Sequence, residues 1–338
     1  MKQTKTILVT LFAIFALRAQ CADTAPLKLV ATYELPSDLK GKFDHLTVDV
    51  RGHRLFLTPQ EHKSVDVFNL RTGKLLQSVS IQNPHNVLYR EDLSRFYVTD
   101  GDGGELKIFD GKTYELVKSV KLLVGADAMG YDSVTKYAYI VNGGGDAKMA
   151  YSMLSVVDTT TGKKLDDIRL DAETLEAMVL EKSSPRLYLN NRSKNQVDVI
   201  DRNTRRLLAS WPLALGNTAG PIALDEVNHR LFVACRSGQI IVFDTATGKE
   251  LQALPIGERV DDLAFDPTRK RLYAPCGGGT GTVDVYKEID PDHYQSLGKI
   301  ASGPVGKTGR LVPEWNRYFV PVPQHENKNA EVLVYQVQ

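Results

Sequence analysis

Two imidazoles, five carboxylates and a guanidinium stand at comparable points along the chain, each polar where the following residues turn apolar: Asp44-His45, His85-Asn86, Asp127, Glu176, Asp261-Asp262 and, after Thr308, Arg310. Pro221 holds the corresponding fifth place. Gathered in one site, these residue types support several chemistries. His45 and His85 with Asp44, Asp127 or Glu176 offer the nitrogen and oxygen ligands of a divalent cation. The same groups pair as acid and base for lactone or glycoside chemistry. They also suit recognition of a small polar ligand or a peptide end, and they suit a wet channel rim with no ligand at all. No H-x-x-H spacing places two ligands locally, so any such site depends on a fold that brings distant positions together.

Motifs with self-contained chemistry are missing. The sequence has no G-x-S-x-G, H-E-x-x-H, C-x-x-C or C-x-x-C-H, which argues against an elbow-type serine hydrolase, a zincin and a covalent c-type cytochrome. Asp100-Gly101-Asp102-Gly103-Gly104-Glu105 alternates oxygen ligands without the full calcium-loop pattern. Asn142-Gly143-Gly144-Gly145 and Cys276-Gly277-Gly278-Gly279-Thr280-Gly281 read as flexible loops, because no helix start follows to hold a phosphate. No cofactor is expected beyond the candidate divalent metal. Trp211 falls in an outer strand and Trp315 in a tight turn, and neither suggests a cofactor box.

The elements that must position these residues repeat. An aromatic-aliphatic segment recurs as Arg54-Leu55-Phe56-Leu57, Arg95-Phe96-Tyr97-Val98, Tyr137-Ala138-Tyr139-Ile140 and Arg186-Leu187-Tyr188-Leu189. It continues as Arg230-Leu231-Phe232-Val233, Arg271-Leu272-Tyr273-Ala274 and Arg317-Tyr318-Phe319-Val320. The spacing is roughly 41 to 49 residues, the period of four-stranded propeller blades. A second segment keeps step with it, from Val65-Asp66-Val67-Phe68-Asn69 to Val332-Leu333-Val334-Tyr335. Short β-branched and aromatic runs bounded by Gly, Asn, Asp and Thr are strand chemistry. Turns such as Arg71-Thr72-Gly73-Lys74 and Thr247-Gly248-Lys249 put Gly where a hairpin needs positive φ. The chain stops after the third strand of the seventh copy, and Leu29–Leu35 matches the missing outer strand. The expected fold is therefore all-β: a seven-bladed propeller of four-stranded antiparallel blades, closed by an N-terminal strand that leaves no open edge in that sheet.

Tyr97-Val98-Thr99-Asp100, Tyr139-Ile140-Val141-Asn142 and Tyr188-Leu189-Asn190-Asn191 resemble the tetrapeptide that names YVTN-repeat propellers. Asp158-Thr159-Thr160-Thr161-Gly162-Lys163 and Asp244-Thr245-Ala246-Thr247-Gly248-Lys249 resemble that family's strand-turn-strand signature. The resemblance spans essentially the whole mature chain. It implies the fold, and it leaves open whether the chain is a surface protein, a DNA- or partner-binding periplasmic protein or a lactonase-like enzyme. Tyr273-Ala274-Pro275-Cys276 and Tyr318-Phe319-Val320-Pro321 depart from the tetrapeptide, and their prolines suggest specialised loops after those strands.

On such a ring the loops entering each first strand share a face with the loops after each second strand, and the lead-in residues encircle the channel mouth. That places Asp44, His45, His85, Asn86, Asp127, Glu176, Asp261, Asp262 and Arg310 together as the candidate ligand-binding set. The loops on this face are long and varied, as in Thr58–Lys63, residues 142–151 and Pro323–Asn327, and function on scaffolds concentrates in such loops. Cys235 and Cys276 occupy equivalent places in adjacent blades. Sheets pack about 10 Å apart, too far for a disulfide unless the loops bend inward, so two free thiols are expected.

Lys and Arg number 42 against 41 Asp and Glu, a net charge of +1, which gives no electrostatic footprint for nucleic acid or membrane. Lys2 and Lys5 precede the apolar run Ile7–Leu17, which Arg18 ends too early for a membrane span. Residues 1–22 are thus expected to be a signal peptide and residues 23–338 a single domain, periplasmic or secreted, monomeric and without a transmembrane segment. Arg18-Ala19-Gln20 argues against lipidation of Cys21. The leading expectation is a binding protein for a small polar ligand or a protein or peptide partner. The alternative is a lactonase-like hydrolase or lyase with a metal or an acid–base pair at the channel mouth.

Overall fold

The computed structural model describes residues 25–338. The expected leader over residues 1–22, with Cys21, lies outside them. The repeated apolar segments form strands, joined among the described residues by only four single-turn 3-10 helices. The strands make seven four-stranded antiparallel sheets. In blades one to six the strands neighbour one another in chain order, over residues 43–80, 84–121, 129–170, 175–212, 219–255 and 264–301. Blade seven runs Arg310–Val312, Arg317–Val322, Glu331–Val337 and finally Leu27–Glu34 on the outside. Leu27 pairs with Val337 and Glu34 with Glu331 in antiparallel register, so the N-terminal strand closes the ring. No helix among the described residues is long and apolar enough to cross a membrane.

First strands contact one another in succession round the ring, and that of blade seven meets that of blade one. They therefore line the axis. The second and third strands are sandwiched between neighbouring blades and are apolar on both faces. Leu55, Phe56 and Leu57 are all buried, as are Ala138, Tyr139 and Ile140. Between blades one and two, Phe56, Val65 and Val67 pack with Val87, Phe96 and Phe109. Each such side chain contributes about 1.5–3 kcal/mol on burial. Leu35 and Leu39 join Phe43, Phe319, Val332 and Val334 in the cluster between blades seven and one, so the closing segment is held by packing as well as by its ladder. Gly73, Gly162 and Gly248 all have positive φ in the outer hairpins, where a Cβ would be strained.

One irregularity recurs where the site is built. Phe43 pairs with Pro59 but Leu46 with Leu57, so Asp44 and His45 together face Thr58. His85 and Asn86 face Thr99 in the same way, Glu176 and Ala177 face Asn190, and Gly220 and Pro221 face Ala234. In blade six Val260 bridges Cys276 and Ala264 pairs with Tyr273, leaving Asp261–Leu263 opposite two residues. Each is a β-bulge, which inserts one extra residue and re-aims its side chain. A regular strand would send alternate residues into the blade interfaces; the bulge turns the lead-in pair toward the axis.

The tetrapeptide acquires a positional meaning from this. Its third residue faces the bulge: Thr58 Oγ1 donates to His45 O at 2.7 Å, Asn86 N donates to Thr99 Oγ1 at 2.9 Å, and Asn190 Nδ2 donates to Gly220 O at 2.8 Å. These bonds satisfy backbone groups that the interrupted ladder leaves over. Its fourth residue ties down the neighbouring loops, as Asp100 does by accepting from Asn83 N at 3.0 Å. Pro275 and Pro321 lie within the second strands Arg271–Cys276 and Arg317–Val322, one residue before each strand ends. Pro275 stands opposite the bulge of blade six, where a missing N–H is tolerated.

Candidate functional site

Every blade sends a charged side chain into one cavity of about 340 Å³ at the channel mouth. Asp44, His45, His85, Asp127, Glu176 and Asp261 line it, with Pro221 as the apolar gap in blade five. Asn86, Asp262 and Arg310 sit one step further along the first strands, in an adjoining cavity of about 240 Å³ that also touches His45. The candidate set is thus split between two levels of one channel. Thr308 is buried and absent from both linings; its neighbour Lys307 takes that place.

Lys42, Gln60, Arg192, Arg236 and Lys307 also line the mouth and were not expected. A signal for three of them exists in the repeat. Gln60, Arg192 and Arg236 each stand immediately after the tetrapeptide position, at the start of the loop that follows the second strand. Blade two has Gly101 there, and a Cβ would stand 2.8 Å from His85 Nε2. In blades one, four and five that place holds a long side chain that reaches the mouth, and in blade two a glycine that makes room for an imidazole.

From blade four to blade seven the carboxylates meet permanent cations. Glu176 binds Arg192 Nη1 at 2.5 Å and Arg236 Nη2 at 3.1 Å. Asp261 accepts from Arg236 and from Lys307 Nζ. Burial opposes the charged form of Asp261, but Lys307 and Arg236 outweigh it and lower its pKa. The Lys307 ammonium is likewise desolvated, and Asp261 and Asp44 more than restore its charge.

From blade one to blade three the partners are imidazoles. His45 Nδ1 lies 3.0 Å from Asp262 Oδ1, with its Nε2 3.6 Å from Asp44 Oδ1. His85 Nδ1 lies 2.9 Å from Asp44 Oδ2 and 3.5 Å from Asp127 Oδ1. Gln60 Nε2 stands 2.9 Å from the same Asp44 oxygen. Burial works against His45 as a cation, yet Asp262 and Asp44 raise its pKa well above the ordinary value. His85 shows the same contest and rises to about 9 through Asp44 and Asp127. Burial pushes Asp44 up, but His45, His85 and Lys307 pull it down to about 2. Asp127 goes the other way. Its side chain is 39% exposed to the channel, but protein surrounds that water, and burial with Asp44 and Glu176 nearby raises it to about 6 against the pull of His85.

Other sequence readings resolve simply. The carboxylate of Asp100 is occupied by backbone amides and by Lys107 at 2.8 Å, leaving the glycine-rich loop after it without its first oxygen ligand. Gly144–Ala147 forms a 3-10 turn within the next long loop. Cys235 and Cys276 are free and buried, and burial pushes each thiol up to about 12, so both are inert. Trp211 packs from an outer strand against Tyr188 and Phe243. Trp315, in a 3-10 turn, stacks on His53 at 4.8 Å. Both act as packing residues.

No family model matches the chain. Over 98 residues it is 34% identical to the uncharacterized protein YncE of Salmonella typhi, and 33% identical to that of Salmonella typhimurium strain LT2. Each match spans 29% of this chain and only 28% of the relative. A chain from the Kuenenia stuttgartiensis hydrazine synthase superposes with a TM-score of 0.74 at 18% identity, over 90% of this chain and 98% of that one. A chain of the mitotic checkpoint complex gives 0.76 at 12% identity, over 99% of both. At such identities the likeness speaks for the seven-bladed fold alone.

Proposed function

We propose that this chain is an exported, YVTN-type propeller, periplasmic or secreted, that works as a monomeric binding protein through its loop-rich face and channel mouth. Asp44, His45, His85, Asp127, Glu176 and Asp261 form the upper contact ring for a small polar ligand, and Asn86, Asp262 and Arg310 the lower. The observation that carries this reading is the convergence of a charged side chain from each of seven blades on one cavity of about 340 Å³. That volume suits a metabolite-sized ligand. A merely wet rim has no need of it, because bringing carboxylates, guanidinium groups and imidazoles out of bulk water costs stability that apolar residues would not. The mix of signs favours a ligand with both acidic and basic groups, oriented between Asp127 on one side and Arg236 with Lys307 on the other.

Thermal-shift and native mass-spectrometric screening of the purified chain against charged small metabolites and short peptides tests this. A ligand that raises Tm in the wild type and loses that effect in Arg236→Gln supports it. A complete lack of hits, or hits indifferent to both Arg236→Gln and Asp127→Asn, overturns it. Turnover of a bound lactone or ester would replace it with the hydrolase or lyase alternative.

A further inference from the structure

Around His85 Nδ1 the mouth gathers more acceptors than one proton can serve. Asp44 Oδ2 lies 2.9 Å away, Asp127 Oδ1 3.5 Å, and the Gln60 side-chain amide 3.0 Å. The Gln60 amide is also 2.9 Å from Asp44 Oδ2. A single N–H on His85 points at one partner only. If Nδ1 carries the proton, the Gln60 NH₂ group faces it donor to donor; if it does not, two lone pairs meet across 2.9 Å at Asp44. A half-turn of the Gln60 amide, which exchanges two ends of nearly equal size, replaces the NH₂ by a third acceptor, Oε1.

We propose that Asp44 Oδ2, His85 Nδ1, Asp127 Oδ1 and Gln60 Oε1 form a site for a divalent first-row transition ion, an inference that rests on the reading of the mouth as a binding site. The ligand atoms of Asp44, His85 and Asp127 all lie within 4.8 Å of one another. With bonds of about 2.1 Å, neighbouring ligands stand about 3.0 Å apart in an octahedron and about 3.4 Å apart in a tetrahedron. The separations of 2.9 and 3.5 Å match those edges, and so does the 3.0 Å from His85 Nδ1 to the amide end of Gln60, now Nε2, that the half-turn replaces by Oε1. Two carboxylates neutralise the ion's double charge. An imidazole among oxygen ligands favours zinc, manganese or iron(II) over calcium and magnesium.

The donors sit on rigid supports. Asp44 and His85 project from bulges in adjacent first strands. Gln60 opens a 3-10 turn, and its backbone N–H donates to Lys42 O at 3.2 Å. Gly101 leaves space for the His85 ring. An outer chain orients the first ligand: Asp44 Oδ1 faces His45, His45 is anchored to Asp262, and Asp262 accepts from Gly309 N at 2.9 Å. The open cavity beside these donors leaves coordination positions for the small polar ligand.

Zn²⁺ titrated into the chelator-stripped full chain by calorimetry tests the site, with Co²⁺ absorption as a second readout. We expect one ion per chain. Asp127→Asn and His85→Gln weaken binding by at least about 100-fold, since even residues behind the ligands contribute about 10–100-fold. Gln60→Leu weakens it by about 10-fold, and Gln60→Glu strengthens it by a similar factor; a misfolded variant cannot produce that gain. Absence of saturable Zn²⁺ binding, or equal affinity in wild type and Asp127→Asn, overturns the site. Small-ligand capture that persists in chelated protein showing no Zn²⁺ uptake overturns the metal site and leaves the binding reading standing.

Discussion

The arc of the channel mouth from blade four to blade seven neutralises its carboxylates with Arg192, Arg236 and Lys307. The arc from blade one to blade three uses His45, His85 and an amide. Each arc contains bulged first strands, in blades one and two and in blades four, five and six, so backbone geometry does not separate them. Side-chain chemistry does. Guanidinium and ammonium groups stay charged throughout the physiological range, whereas an imidazole responds to pH and can exchange its proton for a metal. The first arc is a closed mesh. The second leaves Asp127 without a permanent cation, and the protein pushes that carboxyl up to about 6.

The largest effect should come from breaking the closed arc. Asp261→Asn removes the carboxylate that Arg236 and Lys307 share, and chain stability in urea should fall by about 3 kcal/mol, as when one partner of a buried ion pair is lost. A loss under about 1 kcal/mol would mean that channel water screens this arc as well.

Next in size is the pH response of the imidazole arc in chelated protein. The folded pKa of His85, about 9, lies above its ordinary 6.5, so its contribution is complete below 6.5 and is lost as pH rises through 9. Discounted for the water in the channel, stability should drop by about 2 kcal/mol over that range. Denaturation curves of His85→Gln should show a shallower slope, keeping only the part that His45 supplies; an unchanged slope would place the titration elsewhere.

Glu176→Gln should cost less, about 1 kcal/mol by thermal or urea unfolding. The amide oxygen still accepts from Arg192, and Arg236 keeps Asp261. A cost as large as that of Asp261→Asn would show that the closed arc hinges on Glu176 instead. The smallest effect is that of reductant. Because Cys235 and Cys276 are free, dithiothreitol should leave Tm unchanged, and any fall would reveal a covalent link in the closed arc.

Much of this was legible along the chain. The spacing of Arg54, Arg95, Arg186, Arg230, Arg271 and Arg317 marks the blades, and Leu29–Leu35 supplies the strand that blade seven lacks. The lead-in residues Asp44, His45, His85, Asp127, Glu176 and Asp261 follow from the same period and do meet at the mouth. Arg236 and Lys307 were missed because their partner, Asp261, lies in a different blade from either. Asn86 and Asp262 fall one level deeper because the bulge rotates successive residues differently, whereas Arg310 opens the regularly paired first strand of blade seven. Pro275 reads as a loop signal in isolation, and only the bulge beside it explains a proline within a strand.

By itself the sequence determines the number of blades, their strand order and the closure of the ring. Those depend on the local alternation of apolar and turn residues and on a period repeated many times, so no single position decides them. Tertiary structure alone decides which charge meets which. A β-bulge shifts a side chain by half a pleat, and hydrogen bonds discriminate at tenths of an ångström. Pairings such as His85 with Asp44 across blades one and two therefore arise only once the ring has closed.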